Sequence, residues 1–247
     1  VCNGPGPTEV VIEDITILFD SVYLPQLEEW YVYEFGADTT FSFECSPLFA
    51  CGDPVSYQGY GYETVQIGEQ CWFAENLRSI EYSNGDSIAL NVSASDWAIL
   101  DSGATAIYGE GEIPCDHGWC EAGPNYCDSE YSYSRFGRLY NWYAVHDERG
   151  LCPSGWHVPS KEEFESLIEL FGGYDVAGDA LKAESELWAC GSYSDMSNNA
   201  SGFSALLGGH RDTYPEFWDA GVEGFWWTSS SWDVFALGAG VSTAQIF

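Results

Sequence analysis

The densest group of chemically capable side chains in this sequence is Cys115-Asp116-His117-Gly118-Trp119-Cys120, with Cys127 close behind. Thiolate and imidazole are zinc ligands, but a structural zinc site takes about four of them in two short-spaced pairs. Cys115 and Cys120 roughly fit one pair, and no second pair follows. The plainer reading is disulfides that pin a long loop. Each would stabilise the fold by about 2–4 kcal/mol by restricting the unfolded chain.

A hard cation is the other metal to weigh. Asn84, Asp86, Asp128, Glu130, Asp195, Asn198 and Asn199 lie in Gly/Ser-rich stretches. Carboxylate and carbonyl oxygens are what calcium takes. Asp86, Asp128, Asp195 and Asn198 are the candidate ligands, and calcium is the one cofactor suggested. No EF-hand loop or nonapeptide repeat is present, so solvated acidic loops are the stronger reading. Nucleophilic catalysis needs Ser or Cys beside His and an acid. His117, His146, His157 and His210 are scattered, and no such set can be assembled. Thirty-nine acids place some pair at glycosidase spacing by chance, so that chemistry gains no support. The chain reads as a non-enzyme.

Aromatic rings are the remaining chemistry. With 11 Trp and 16 Tyr, some rings can serve as platforms for sugar stacking. Trp97, Trp119, Trp188, Trp218 and Trp232 stand apart from the regular segments described below. Of these, Trp97, Trp119, Trp218 and Trp232 are the candidates for ligand or subunit contact.

The elements that must position these groups belong to an unusual composition. The 247 residues carry 39 Asp plus Glu against 7 Lys plus Arg, a formal charge of −32. Nucleic acid and anionic membrane surfaces are excluded as partners, because both need a basic face. Disorder is excluded too, since 45% of residues are hydrophobic and 17% aromatic. No apolar run approaches the roughly 20 residues of a membrane span. Nine Cys against one Met point to an oxidising compartment and disulfides. The start Val1-Cys2-Asn3-Gly4 reads as processed, or as part of a longer chain.

Residues 1–55 form a β-rich segment. Val11, Ile15, Ile17 and Phe19 share one strand face. Trp30 to Phe35 and Phe41 to Cys45 read as two more strands, and Cys45 and Cys51 are expected to close a short loop. The segment is either a small domain of its own or a strand that completes a neighbouring subunit. Tyr57 to Ile67 reads as a hairpin. Residues 79–134 are a polar, irregular insertion of the kind that usually lies on the surface. Arg135 to His146 has Phe136, Leu139, Tyr140 and Tyr143 at helical spacing. Ser160-Lys161-Glu162-Glu163 is a capping box. It opens an amphipathic helix with Phe164, Leu167, Ile168 and Phe171 on one face, stopped by Gly172-Gly173. From Gly202 onward short strands dominate.

Five of these stretches occur in a telling order. They are Thr64 to Arg78, Phe136-Gly137-Arg138-Leu139-Tyr140-Asn141-Trp142, Cys152-Pro153-Ser154-Gly155-Trp156-His157-Val158-Pro159-Ser160, Gly202 to Arg211, and Gly224-Phe225-Trp226-Trp227-Thr228-Ser229-Ser230. Together they resemble the Fibrobacter succinogenes major paralogous domain family over residues 56–247. The resemblance implies a C-type-lectin-like fold related to that of the formylglycine-generating enzyme. It implies a secreted or surface-attached domain of Bacteroidota-like or Fibrobacter-like bacteria, mostly without assigned activity. The formylglycine-generating relatives use a late cysteine pair, and no Cys follows Cys190 here, which argues against their chemistry. Family members usually pair the Cys of the Cys-Pro-Ser-Gly-Trp-His motif with one in a final strand. Cys152 is therefore the odd cysteine, its partner expected in a tail or in a neighbour. Cys127 is implied to pair with Cys115 or Cys120. The disulfide candidates are Cys45, Cys51, Cys71, Cys115, Cys120, Cys127, Cys152 and Cys190. Short matches at Ser21, Thr39 and Ser87 resemble the O-glycosylation motif of secreted Bacteroidota proteins.

The resulting expectation is an α+β protein. A β-rich segment, 1–55, precedes a C-type-lectin-like domain, 56–247, with two helices, an irregular twisted antiparallel sheet, disulfide-pinned loops and the insertion 79–134. Its expected role is a non-enzymatic extracellular or cell-surface protein that self-associates in a fibre or adhesive assembly. The alternative is a monomeric glycan- or receptor-binding module that uses calcium.

Overall fold

The computed structural model describes residues 16–18, 21–24, 29–32, 49–111, 115, 125–184, 197–212, 216–230, 234–238 and 244–246. It divides the chain into two units, Val1–Ala50 and Cys51–Phe247. In the first unit, β1 (Thr16–Leu18), β2 (Ser21–Leu24) and β3 (Glu29–Val32) form an antiparallel sheet in that order. The strand read at Phe41 to Cys45 lies outside the described residues.

The second unit begins at Cys51 because that residue is tied forward. Its sulfur bonds Cys71, with Cα atoms 5.7 Å apart, within ordinary disulfide reach. The expected Cys45–Cys51 loop is therefore not formed. The single hairpin read over Tyr57 to Ile67 is two hairpins. The first pairs β4 (Val55–Tyr57) with β5 (Tyr60–Tyr62), and the second pairs β6 (Thr64–Ile67) with β7 (Gln70–Phe73). The first turn, Gln58-Gly59, has positive φ at both residues, as the tight turns that match strand twist require.

Among its described residues, the stretch 79–134 is not wholly a surface loop. Tyr82, Ile88, Ala104, Ala106, Tyr108 and Tyr126 are each no more than 2% exposed. Tyrosine permits this, because its ring fills the core while its hydroxyl finds a polar neighbour. The Tyr108 hydroxyl, for example, accepts from Ala220 N at 3.4 Å. This stretch holds α1 (Ala94–Trp97), N-capped by Ser93, then β8 (Thr105–Ala106) and the start of α2 (Ser129–Phe136), N-capped by Asp128.

The continuous helix expected over Arg135 to His146 is broken. After α2 comes β9 (Leu139–Tyr140), paired with β8, and then α3 (Trp142–Val145), N-capped by Asn141. The break is at Gly137, with φ 72° and ψ −130°, a conformation essentially reserved for glycine. A Cβ there would lie 2.9 Å from Leu77 O. The aromatic spacing that looked helical instead serves a strand and a short helix that face different neighbours.

The capping box forms as read. Ser160 Oγ accepts from Glu163 N, and Glu163 Oε2 accepts from Ser160 N, opening α4 (Lys161–Leu170). Gly172 and Gly173, both at positive φ, follow its end. After α5 (Ala177–Leu181), a five-stranded sheet runs in the order β11 (Phe217–Ala220), β10 (Gly208–Arg211), β12 (Glu223–Trp227), β13 (Val234–Gly238), β14 (Ala244–Ile246). Its pairs are antiparallel except for β10 with β12. The fold is thus mixed α+β, with small, mostly antiparallel sheets.

Three apolar clusters support it. One joins Trp72, Phe164, Leu167, Ile168, Phe203 and Leu207 between α4 and the sheet. Another gathers Trp97, Tyr108, Tyr126, Phe136 and Phe217. The third is built on Tyr82, Ile88, Ala144 and Leu151. Among the described residues, no helix is long and apolar enough to cross a membrane.

Two glycine substitutions separate backbone strain from crowding. Gly155 has φ 82° with open space around its side-chain position. Gly155→Ala should cost about 1 kcal/mol, the lower end for a strained residue. Gly137→Ala adds a clash with Leu77 O and should cost about 3 kcal/mol. Equilibrium urea unfolding with disulfides intact measures both, and equal costs would reject the crowding argument.

Candidate functional site

Where the three clusters meet, the wall of the second unit opens into a cleft of about 740 Å³, within the size range of small-molecule sites. One wall comes from the turn after β7. There the half-buried Asn76 donates through Nδ2 to Phe136 O at 3.0 Å and accepts at Oδ1 from Trp226 Nε1 at 2.8 Å. One amide thus holds the last residue of α2 against a ring of β12. Trp227 Nε1 donates to Tyr140 O at 2.7 Å, tying β12 to β9 as well. Two residues past Asn76, Arg78 donates to Tyr133 O and Ser134 O. These are carbonyls of the last turn of α2, where a cation also complements the helix dipole. Arg78 N donates to the Tyr62 hydroxyl at 3.0 Å. The Tyr140 hydroxyl donates to Ser79 O at 2.8 Å.

The cleft surface is mainly aromatic. Trp156, Trp226, Trp227 and Tyr140 line it with Arg138 and Cys152. Trp156 packs on Phe73, with centroids 4.4 Å apart, and Trp227 on Trp142 at 5.6 Å. Burial pushes the Cys152 thiol up to about 11, so it is protonated at neutral pH and a poor nucleophile. Burial likewise holds the Tyr140 phenol well above its ordinary value. Beside the cleft, His157 Nε2 meets Glu163 Oε1 at 2.9 Å, with the imidazole largely exposed. Burial raises the Glu163 carboxyl, but bonds from Ser160 and His157 outweigh it and hold the group below the usual range. At the other end of the cleft, His210 Nδ1 lies 3.6 Å from Asp219.

The residues singled out from sequence have varied fates. Cys115 bonds Cys127, with Cα atoms 5.8 Å apart, which decides between the two partners the resemblance left open. Cys71 holds Cys51, and Cys152 carries a free thiol. Cys45, Cys120 and Cys190 lie outside the described residues. Asp86 accepts from Arg149 and from Asn84, each at 3.1 Å, while Arg149 also chelates Asp147 and lies 3.9 Å over the Tyr82 ring. Asp128 spends its carboxylate on the α2 cap. Asn198 Oδ1 accepts from Ala200 N. Asp195 lies outside the described residues. Asp86, Asp128 and Asn198 each bond a local partner, and no metal-binding group of three acids, His or Cys occurs among the described residues.

Trp97 is 9% exposed, belongs to a core cluster, has Arg211 stacked on it at 4.1 Å, and is also among the residues that line the cleft. Trp218 is half-buried on β11. Trp119 and Trp232 lie outside the described residues. Ser21 falls in β2, Ser87 is exposed, and Thr39 is not among the described residues. Sequence reasoning missed the roles of Asn76 and Arg138, although both sit in quoted motifs. For Arg138 a signal existed, since any basic residue is rare in this chain.

A family model described as Fibrobacter succinogenes major domain matches residues 65–236. No curated protein and no solved structure matches the chain.

Two measurements test this geometry. Asn76→Ala leaves Trp226 Nε1 and Phe136 O without partners and should cost about 3 kcal/mol in urea unfolding; a loss under about 1 kcal/mol would show that the amide is not a tie. The Cys152 thiol should react with an aromatic disulfide reagent at pH 8 at least about tenfold more slowly in the native protein than unfolded, as burial and a raised thiol demand. The difference between the parent chain and Cys152→Ser isolates that thiol.

Proposed function

The chain belongs to the Fibrobacter succinogenes major domain family, and from that premise we propose that it is a non-enzymatic, extracellular saccharide-binding module. One observation carries this reading. Three of the rings that line the cleft, Tyr140, Trp226 and Trp227, have their polar atoms tied to backbone or amide partners, leaving ring faces as the contact surface. Sugars offer C–H faces that stack on such rings, with hydroxyls free for polar contacts at the edge. Near the cleft, Glu75, Glu163, His157 and His210 sit in caps or pairs, and burial keeps the Cys152 thiol protonated. The two disulfides accord with an oxidising, extracellular setting. The pairing of helices α2 and α4 with small, mostly antiparallel sheets accords with a C-type-lectin-like domain.

A fibre or adhesive assembly is the second reading. The separate Val1–Ala50 unit and its sheet edges favour it, since an open strand edge can pair with another chain. Against it, β1, β2 and β3 pair with one another, so these strands are not waiting for a neighbour's sheet. Binding is therefore the better supported of the two. Filaments of the purified chain under the electron microscope would reverse that order.

A glycan array with the chain as analyte tests the reading. Trp156→Ala should weaken binding to any glycan recovered by about tenfold or more, since a stacked ring is worth roughly 1–2 kcal/mol, while far-UV circular dichroism is retained. Binding should survive a chelator, because Asp86, Asp128 and Asn198 are engaged with local partners. An array without a single bound glycan removes the proposal.

A further inference from the structure

Few basic residues exist in this chain, and nearly every one near an acid is paired with it. Arg78 meets Glu75 at 3.9 Å, Arg149 meets Asp147 and Asp86, Lys182 meets Asp179 at 3.8 Å, and Arg211 meets Glu110 at 3.5 Å. With 39 acids to 7 bases, such pairing is what chance and Coulomb attraction both favour. Outside the pattern fall Arg135, which does not line the cleft, and Arg138, which does. Among the described residues Arg138 has no acidic partner, and its guanidinium lies 5.4 Å from the Tyr133 ring centroid. Its backbone N–H is bound to Leu77 O, but its side-chain Nε is shielded from solvent without a hydrogen-bond acceptor. Arg138 lines the cleft. So does Trp72, whose Nε1 is likewise buried without an acceptor.

Both unpartnered groups are donors. Leaving a buried donor without an acceptor is unfavourable, and more so for a charged one. What satisfies them is a ligand rich in acceptors and carrying negative charge. The planar guanidinium fork fits a carboxylate with two parallel N–H···O bonds. The two carboxylates on the cleft wall are Glu75 and Asp212. Glu75 is committed, since it accepts from the Tyr60 hydroxyl and from Glu63 N and pairs with Arg78. A chain of charge −32 repels anions at long range. A site for one therefore needs a cation that its own acids have not neutralised, and Arg138 supplies it.

We propose that the cleft selects a carboxylate-bearing saccharide, a uronic acid unit, with Arg138 binding the carboxylate and the neighbouring rings stacking on the sugar. This rests on the reading of the cleft as a saccharide site. The experiment is an array of oligogalacturonate, glucuronoxylan and alginate fragments, each printed beside its carboxyl-reduced counterpart, together with neutral glycans. The native chain should bind at least one acidic fragment tenfold or more tightly than its reduced form. Arg138→Gln should lose that factor, so that acidic and reduced forms bind alike, and Arg138→Lys should keep part of it. Equal binding of acidic and reduced forms overturns the carboxylate assignment while leaving the saccharide site standing, as does binding to neutral glycans alone. A preference that persists in Arg138→Gln overturns the role of this arginine. Binding to no glycan removes the site and the assignment together. The comparison of acidic with reduced forms uses the native chain, so it stands even if a variant fails to fold.

Discussion

The carboxamide of Asn76 is the interaction on which the geometry of the second unit depends. It joins the last residue of α2, through Phe136 O, to the Trp226 ring on β12. A hydrogen bond of this kind contributes only about 1 kcal/mol net, but its loss leaves two shielded groups without partners. Its loss is therefore costlier than its net contribution. It fixes where the helix ends against where the sheet begins, and the cleft is the space between them. Gly137 makes this arrangement accessible, because only a residue without a Cβ can turn away from α2 against Leu77 O.

The same economy runs through the polar interior. Tyr62, Tyr108 and Tyr140 each bury a ring and use the hydroxyl on a backbone group. Asn141 caps α3 while its side chain also accepts from Ala104 N and donates to Ser102 O. Such side chains let irregular backbone pack as a core, since each buried amide or carbonyl that lacks a ladder partner finds a side chain instead. Two disulfides restrain the stretches where helix and sheet are sparse. Several of the few cations lie over aromatic faces, Arg78 over Tyr60 and Arg211 over Trp97 among them.

Three signals in the sequence were read at the right level. Ser160 and Glu163 reported a local cap, which needs nothing beyond three residues of chain, and it forms as read. The five ordered motifs reported the family. The aromatic content reported packed cores, and the described residues form three of them. Others failed for identifiable reasons. The aromatics from Phe136 to Tyr143 have helical spacing, but that spacing cannot reveal that Gly137 must pass a carbonyl from Leu77, some sixty positions earlier. The polarity of 79–134 suggested a surface loop, because composition counts tyrosine as polar while packing uses its ring. Cys51 seemed nearest in sequence to Cys45, whereas strand pairing carried it to Cys71.

What the sequence by itself determined is therefore local or statistical: the α4 cap, the glycine stop after it, and the family. What only the tertiary structure decided is which side chains are spent and which remain. Asp86 and Asp128 look alike as calcium ligands on paper, and both are consumed, one by Arg149 and one by a helix cap. Arg138 looks like any of the seven bases, and it alone lines the cleft without an acid beside it among the described residues. The physical reason is that a charged group's chemistry belongs to its partners, and partners are set by folding rather than by position in the chain.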